Sequence, residues 1–200
     1  MSCIPPLRSR VVAAVVLPLL VGACWAQRGV LTSRRDLAQL TDSAATIVRG
    51  RIILARVEPH PSYPHLFTVV VTMRADEVLK GAPEPTFTFR QFVADVRDRR
   101  DAAGYRKGDE YLLLMNPLNN LGLSSPVGLE QGRFRILRGG DGNAAALNGH
   151  NNRGLFQTVS SKARYEMLPA RLRTLAARHQ SGPIALADLR AMIQQLSTQR

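Results

Sequence analysis

Thr46-Ile47-Val48-Arg49-Gly50-Arg51-Ile52-Ile53-Leu54-Ala55-Arg56-Val57 is the stretch on which the reading of the fold turns. Successive side chains of a strand point to opposite faces. Ile47, Arg49, Arg51 and Ile53 then share one face, and Val48, Gly50, Ile52 and Leu54 share the other. The second face is wholly apolar, so it is expected to meet the core. Gly50 in mid-strand predicts a bulge or a sharp bend.

Four further strands follow. Residues 58–65 carry Pro59, Pro61 and Pro64 and read as a connection. Phe67, Val69, Val71 and Met73 then alternate with Thr68, Val70, Thr72 and Arg74, in a strand that continues towards Val78. Thr86-Phe87-Thr88-Phe89-Arg90-Gln91-Phe92 is the third. Tyr111-Leu112-Leu113-Leu114-Met115 is apolar on both faces and so reads as a central strand. Gly132-Arg133-Phe134-Arg135-Ile136-Leu137-Arg138 is the fifth, closed by a turn at 139–143. A charged insertion at 94–108 and a long loop at 116–131 interrupt the series. Strands without alternating helices argue for an antiparallel arrangement. The expectation is a mainly β fold, a five-stranded antiparallel OB-like barrel over 44–138.

Helices are expected at both ends. Residues 27–43 read as a linker and a short helix, with Thr32 and Ser33 as capping hydroxyls before Leu37 and Leu40. Residues 139–200 read as a loop and helical appendage. Within it 144–159 show no clear period, Pro169 starts a helix, and 186–196 are amphipathic.

The first 26 residues read as an export signal. Arg8 and Arg10 precede an apolar run of eleven residues at 11–21, too short to span a bilayer. Two cleavage sites compete. Val21-Gly22-Ala23-Cys24 resembles a bacterial lipobox, in which Cys24 would be lipidated, and Cys24-Trp25-Ala26 precedes Gln27 as the other. The lipobox is the preferred reading. Cleavage at either point leaves no pair of cysteines for a disulfide, since Cys3 and Cys24 are the only two. The expected location is periplasmic or outer-surface as a lipoprotein, otherwise secreted.

Composition supports a globular chain, with 45% hydrophobic and 21% charged residues in 200. The net charge is +12, built from 24 Arg and 3 Lys against 15 acids. It is unevenly spread. The signal holds +2, residues 44–138 balance 14 basic against 10 acidic, and residues 139–200 hold 8 basic against 3 acidic. A mixed barrel and an exported chain disfavour nucleic acid as partner, and alternation assigns Phe87 and Phe89 to the core rather than to base stacking.

The segments 45–52, 68–71, Glu77-Val78-Leu79-Lys80-Gly81 and Lys107-Gly108-Asp109-Glu110-Tyr111-Leu112-Leu113-Leu114 together carry a resemblance. Over about 44–138 the chain resembles uncharacterised secreted bacterial proteins. More remotely it is similar to the OB-type barrel of netrin and tissue-inhibitor-of-metalloproteinase domains. That second resemblance would imply an N-terminal cysteine whose amine and carbonyl chelate a protease zinc, and a disulfide framework. The chain has neither.

No catalytic, metal or cofactor site is assigned. His60 and His65, with Glu58 nearby, fall short of the three or four donors zinc needs and read as exposed loop histidines. Asp141-Gly142-Asn143 lacks the acids of a calcium loop. Ser124-Ser125, Ser160-Ser161 and His150 with Asp141 fit no nucleophile motif. Adjacent Asp76 and Glu77 would point to opposite faces, so they cannot act as a dyad. The contact residues expected on loops are His60, Tyr63, His65, Arg97, Arg99, Arg100, Asn119 and Asn120. Arg164, Arg171 and Arg178 recur every seven residues as a membrane-facing candidate. The reading is a non-enzymatic binding module, possible attachment to the membrane being through lipid on Cys24, with a protein or envelope polymer as partner. The alternatives are a loop-mediated peptidase inhibitor and a small hydrolase.

Overall fold

The computed structural model describes residues 33–81, 84–140 and 142–199. The signal segment, Cys24 and Asp141 lie outside the described residues. In chain order the elements are α1 Leu37–Ser43, β1 Thr46–His60, β2 Tyr63–Lys80, β3 Thr86–Phe92, α2 Val96–Arg100, β4 Glu110–Met115, β5 Arg133–Arg138 and β6 Ala144–Asn148. They continue with α3 Lys162–Glu166, α4 Ala170–Arg178, β7 Ile184–Ala185 and α5 Leu186–Thr198.

The β class holds, but the five-stranded barrel does not. Among the described residues the strands form one antiparallel sheet of seven, ordered β3-β2-β1-β4-β5-β6-β7, with β3 and β7 as open edges. A loop, not a strand, reaches the free edge of β3, where the Ser124 N–H donates to the Arg90 carbonyl at 2.8 Å. Two strands escaped the sequence reading for a physical reason. β6 begins Ala144-Ala145-Ala146, which has neither β-branching nor alternation, and is held as a strand by pairing with β5 and by burial of Ala146. β7 is only two residues long.

Both faces of the sheet are buried, which accounts for β4. Leu112 and Leu114 join a core with Ile47, Phe134, Leu37, Leu189 and Ile193, beneath the helices. Tyr111, Leu113 and Met115 join the opposite core with Val48, Val71, Met73 and Phe89. All six residues of β4 are buried, as expected of a central strand. The 94–108 insertion is charged outside but contributes the buried Tyr105, edge-on to Phe89 at 5.6 Å and to Tyr111 at 5.7 Å.

Gly50 marks a register shift, as its position predicted. A Cβ there would lie 2.1 Å from the Arg74 carbonyl oxygen, so only glycine admits this approach of β1 to β2. A second shift, between Ile52 and Leu54, corrects the assignment of Leu54 to the core. Ile53 is the extra residue, and a one-residue slip exchanges the faces. Beyond it Ala55 and Val57 turn inward, while Ile53 and Leu54 are both exposed. Residues 58–65 are also not a mere connection. They form the distal end of the long β1–β2 hairpin, where Pro59 pairs with Phe67.

At the C-terminal end Pro169 precedes α4, as the missing proline N–H permits at a helix start. Buried Leu186, Leu189, Met192, Ile193 and Leu196 give α5 the expected apolar stripe. No helix among the described residues is long and apolar enough to cross a membrane.

Candidate functional site

Three segments meet at the hairpin end of the sheet. The hairpin tip touches the 116–131 loop through His60, whose Nε2 lies 2.9 Å from the Leu121 carbonyl. The His60 Nδ1 accepts the Ser62 N–H at 3.2 Å. A ring nitrogen that accepts carries no proton, so Nε2 is the donor to Leu121. With both nitrogens occupied His60 is no metal ligand, and it is buried rather than exposed, whereas His65 is exposed. The third segment docks through Arg99, whose guanidinium lies 4.1 Å from the Phe67 ring centroid.

Between the 94–98 segment and the loop lies a cleft of about 710 Å³, lined by Phe92, Asp95, Asp98, Asn116, Leu123 and Ser124 among others. Leu121 on the far side of the same loop lines a second hollow of about 550 Å³ with Tyr63, Pro64 and His65. The wall between them is braced by its own hydrogen bonds. The Asn119 carboxamide oxygen accepts from the Leu121 and Leu123 N–H groups, both at 2.9 Å. The Ser124 hydroxyl donates to the Asn116 carbonyl at 2.7 Å, and the Asn116 N–H to the Ser125 carbonyl at 2.9 Å.

Polarity and exposure distinguish this end. Ten large hydrophobic side chains are exposed among the described residues; four of them, Tyr63, Val96, Leu118 and Leu121, stand on these three segments, and a fifth, Phe92, ends β3 in the cleft. Gathered apolar exposure of that kind marks contact surfaces. Among the described residues no Lys or Arg lines the cleft, although the whole chain is strongly basic. Its charges are the carboxylates of Asp95, which caps α2 and holds Arg97, and Asp98.

The other expected contact residues separate into two groups. Asn120, Arg97 and Arg100 are exposed near the cleft, whereas Asn119 serves as the hydrogen-bond centre of its loop. Arg90 does not offer itself to a ligand. It holds Glu58 at 2.6 Å and Thr68 at 2.8 Å, and that hydrogen bond is the main reason the Glu58 carboxyl lies below its ordinary range. Glu77 and Glu110 likewise sit in ion pairs, both with Arg49, at 3.1 and 2.6 Å. Arg164 pairs with Asp42 at 2.5 Å and Arg171 with Asp188 at 2.7 Å, while Arg178 is exposed at the end of α4.

Among the described residues the cleft holds no nucleophile poised beside a base. The Ser124 proton is directed at a carbonyl, no histidine lines the cleft, and His150 lines a different pocket. Among the described residues no three His, Cys, Asp or Glu side chains are grouped to hold a metal ion. In comparisons with protein families, curated proteins and solved structures, the chain matches none. The convergence of the 94–98 and 119–123 segments was not readable from sequence, because about twenty residues and a buried strand separate them.

Proposed function

We propose that this is an exported, lipid-anchored, non-enzymatic binding module whose partner is a polypeptide held in the cleft between the 94–98 segment and the 116–131 loop. The observation that carries the reading is a cleft lined, among the described residues, by no basic side chain, at an end of the sheet where exposed apolar side chains gather. Phe92 in the cleft, with Val96 and Leu118 exposed on the two segments that flank it, suits apolar side chains of a partner more than the hydroxyls of a sugar polymer. The preformed loop lowers the ordering cost of binding. The open sheet presents contact loops at one end. The C-terminal arginine excess suits an anionic envelope.

Two experiments test the parts separately. A photo-reactive residue replacing Leu118 or Phe92 is expected to trap one defined protein in cells, and the same residue replacing Met167 on the helical side is not. Crosslinks to purified cell-wall polymer instead would overturn the polypeptide reading, and identical products from all three positions would remove the cleft altogether. Leu118→Asp, at a side chain 70% exposed, is expected to weaken capture about tenfold without loss of fold. For the anchor, cells fed labelled palmitate are expected to label the protein but not its Cys24→Ala variant. An unlabelled wild type would leave a soluble exported form.

A further inference from the structure

We infer that the protein carries a second binding site, for a phosphate-class oxyanion, on the turn that receives the N-terminal arm. A pocket of about 70 Å³ is lined by Arg34, Arg35, Gln131, Asn148, His150 and Arg153, with Leu155. Its size is well below the roughly 300–1,000 Å³ of pockets that take drug-sized ligands, so it suits a single small group. Three arginines and a histidine line it, and among the described residues no Asp or Glu does.

The contrast with the rest of the chain gives this arrangement its meaning. Arg49, Arg90, Arg133, Arg138, Arg171 and Arg190 all lie against carboxylates. Arg34 and Arg153 have no ion pair among the described residues, and the Arg35 guanidinium reaches only the Ser43 hydroxyl, at 3.0 Å. The nearby Glu130 is engaged by Arg133. Like charges repel, so two arginines without carboxylate partners beside one small hollow favour an anion between them. Their planar forks match phosphate oxygens, and a site of this charge suits phosphate better than a single carboxylate.

The site is also built rather than accidental. Its floor is two buried amide side chains held in place. The Gln131 oxygen accepts the Arg35 N–H at 2.8 Å, the Gln131 amide donates to the Ser33 carbonyl at 3.0 Å, and the Asn148 amide donates to the Gln131 carbonyl at 3.1 Å. Gly154 leaves room for Arg34 to lie across the turn, since a Cβ there would come within 2.9 Å of its Nε. Two sources supply such a group, a phospholipid headgroup and free phosphate. The first rests on the anchoring at Cys24 proposed above. Cys24 and Arg34 are ten positions apart, at most about 33–36 Å of extended chain, so a lipid on Cys24 would keep the pocket within that reach of the headgroups. The oxyanion site itself does not depend on that anchor.

The test uses purified protein and inorganic phosphate against chloride at matched ionic strength. Phosphate is expected to raise Tm and to shift the side-chain amide resonances of Gln131 and Asn148. The exposed pair Arg34→Gln with Arg153→Gln is expected to weaken binding at least about tenfold, by loss of both forks. Arg173→Gln with Arg178→Gln, an equal charge change on α4, is expected to leave it unaltered. No response of the wild-type protein, or equal losses in the two variants, would overturn the site. Phosphatidylglycerol vesicles distinguish the sources. Vesicle binding lost only in the Arg34/Arg153 variant assigns a headgroup, and vesicle binding indifferent to it assigns free phosphate.

Discussion

Glu110→Ala is expected to destabilise the protein by about 2–4 kcal/mol, towards the range for breaking a buried ion pair, since Glu110 and Arg49 are largely buried while Arg138 is half exposed. Glu110 begins β4 with its side chain only 5% exposed, and it accepts from Arg49 at 2.6 Å and from Arg138 at 2.9 and 2.6 Å. Arg49 continues the chain to Glu77, which also holds Arg190 of α5. Three cations and two carboxylates thus tie β1, β2, β4, β5 and α5 together on the helical face. Without Glu110, two guanidiniums are left close together with one carboxylate between three. Domains are stable by only about 5–15 kcal/mol, so such a loss would be plain in urea unfolding. A companion variant separates the ion pair from the space it fills. Arg49→Met with Glu110→Leu is expected to recover much of the loss, because apolar replacements of buried pairs are often neutral. A loss below about 1 kcal/mol for Glu110→Ala would match an exposed pair and refute a buried network.

That network shows where sequence reading stops. Arg49 and Glu77 are cross-strand neighbours, but they face each other only because Asp76 is the extra residue opposite the Gly50 shift. Sequence placed a bulge near Gly50 and could not say which strand carried the added residue. The same limit misassigned Leu54, since the slip at Ile53 leaves no compositional mark. Local signals did better. The apolar run of β4, the proline before α4 and the stripe of α5 are each settled by neighbours in sequence. β6 was hidden because its identity comes from β5 and α5 rather than from its own alanines. The cleft was half legible. The loops at 94–108 and 116–131 stood out as contact surfaces, but their meeting depends on Ser124 reaching the edge of β3. The asparagines of the 144–159 stretch carried no period, and their role appears only when their partners are in place.

Asn152 illustrates that role and gives the second large effect. Asn152→Ala is expected to cost about 4 kcal/mol, with a fall in Tm of about 10 °C. The Asn152 side chain is fully buried at the end of a tight turn. Its oxygen accepts the Asn148 N–H at 2.9 Å, and its amide donates to the Ala146 and Gly182 carbonyls, both at 2.9 Å. In return the Asn152 N–H reaches the Asn148 side-chain oxygen at 2.8 Å. One residue therefore closes the turn after β6 and ties it to the loop before β7. Alanine would leave three backbone groups without partners, and a buried group so stranded costs about 1–3 kcal/mol. Asn152 also has φ of 54°, a left-handed conformation that costs alanine roughly 1–2 kcal/mol more than glycine. Asn152→Gly should then be the milder of the two by about 1 kcal/mol, since it removes the hydrogen bonds without straining the backbone. Asn152→Asp keeps the shape but presents a carboxylate oxygen to two carbonyls, so it should be at least as damaging as alanine. Thermal and urea unfolding of the three variants would order them. Equal stability of the alanine and wild-type proteins would mean that water replaces these bonds and that the turn is held by its apolar neighbours alone.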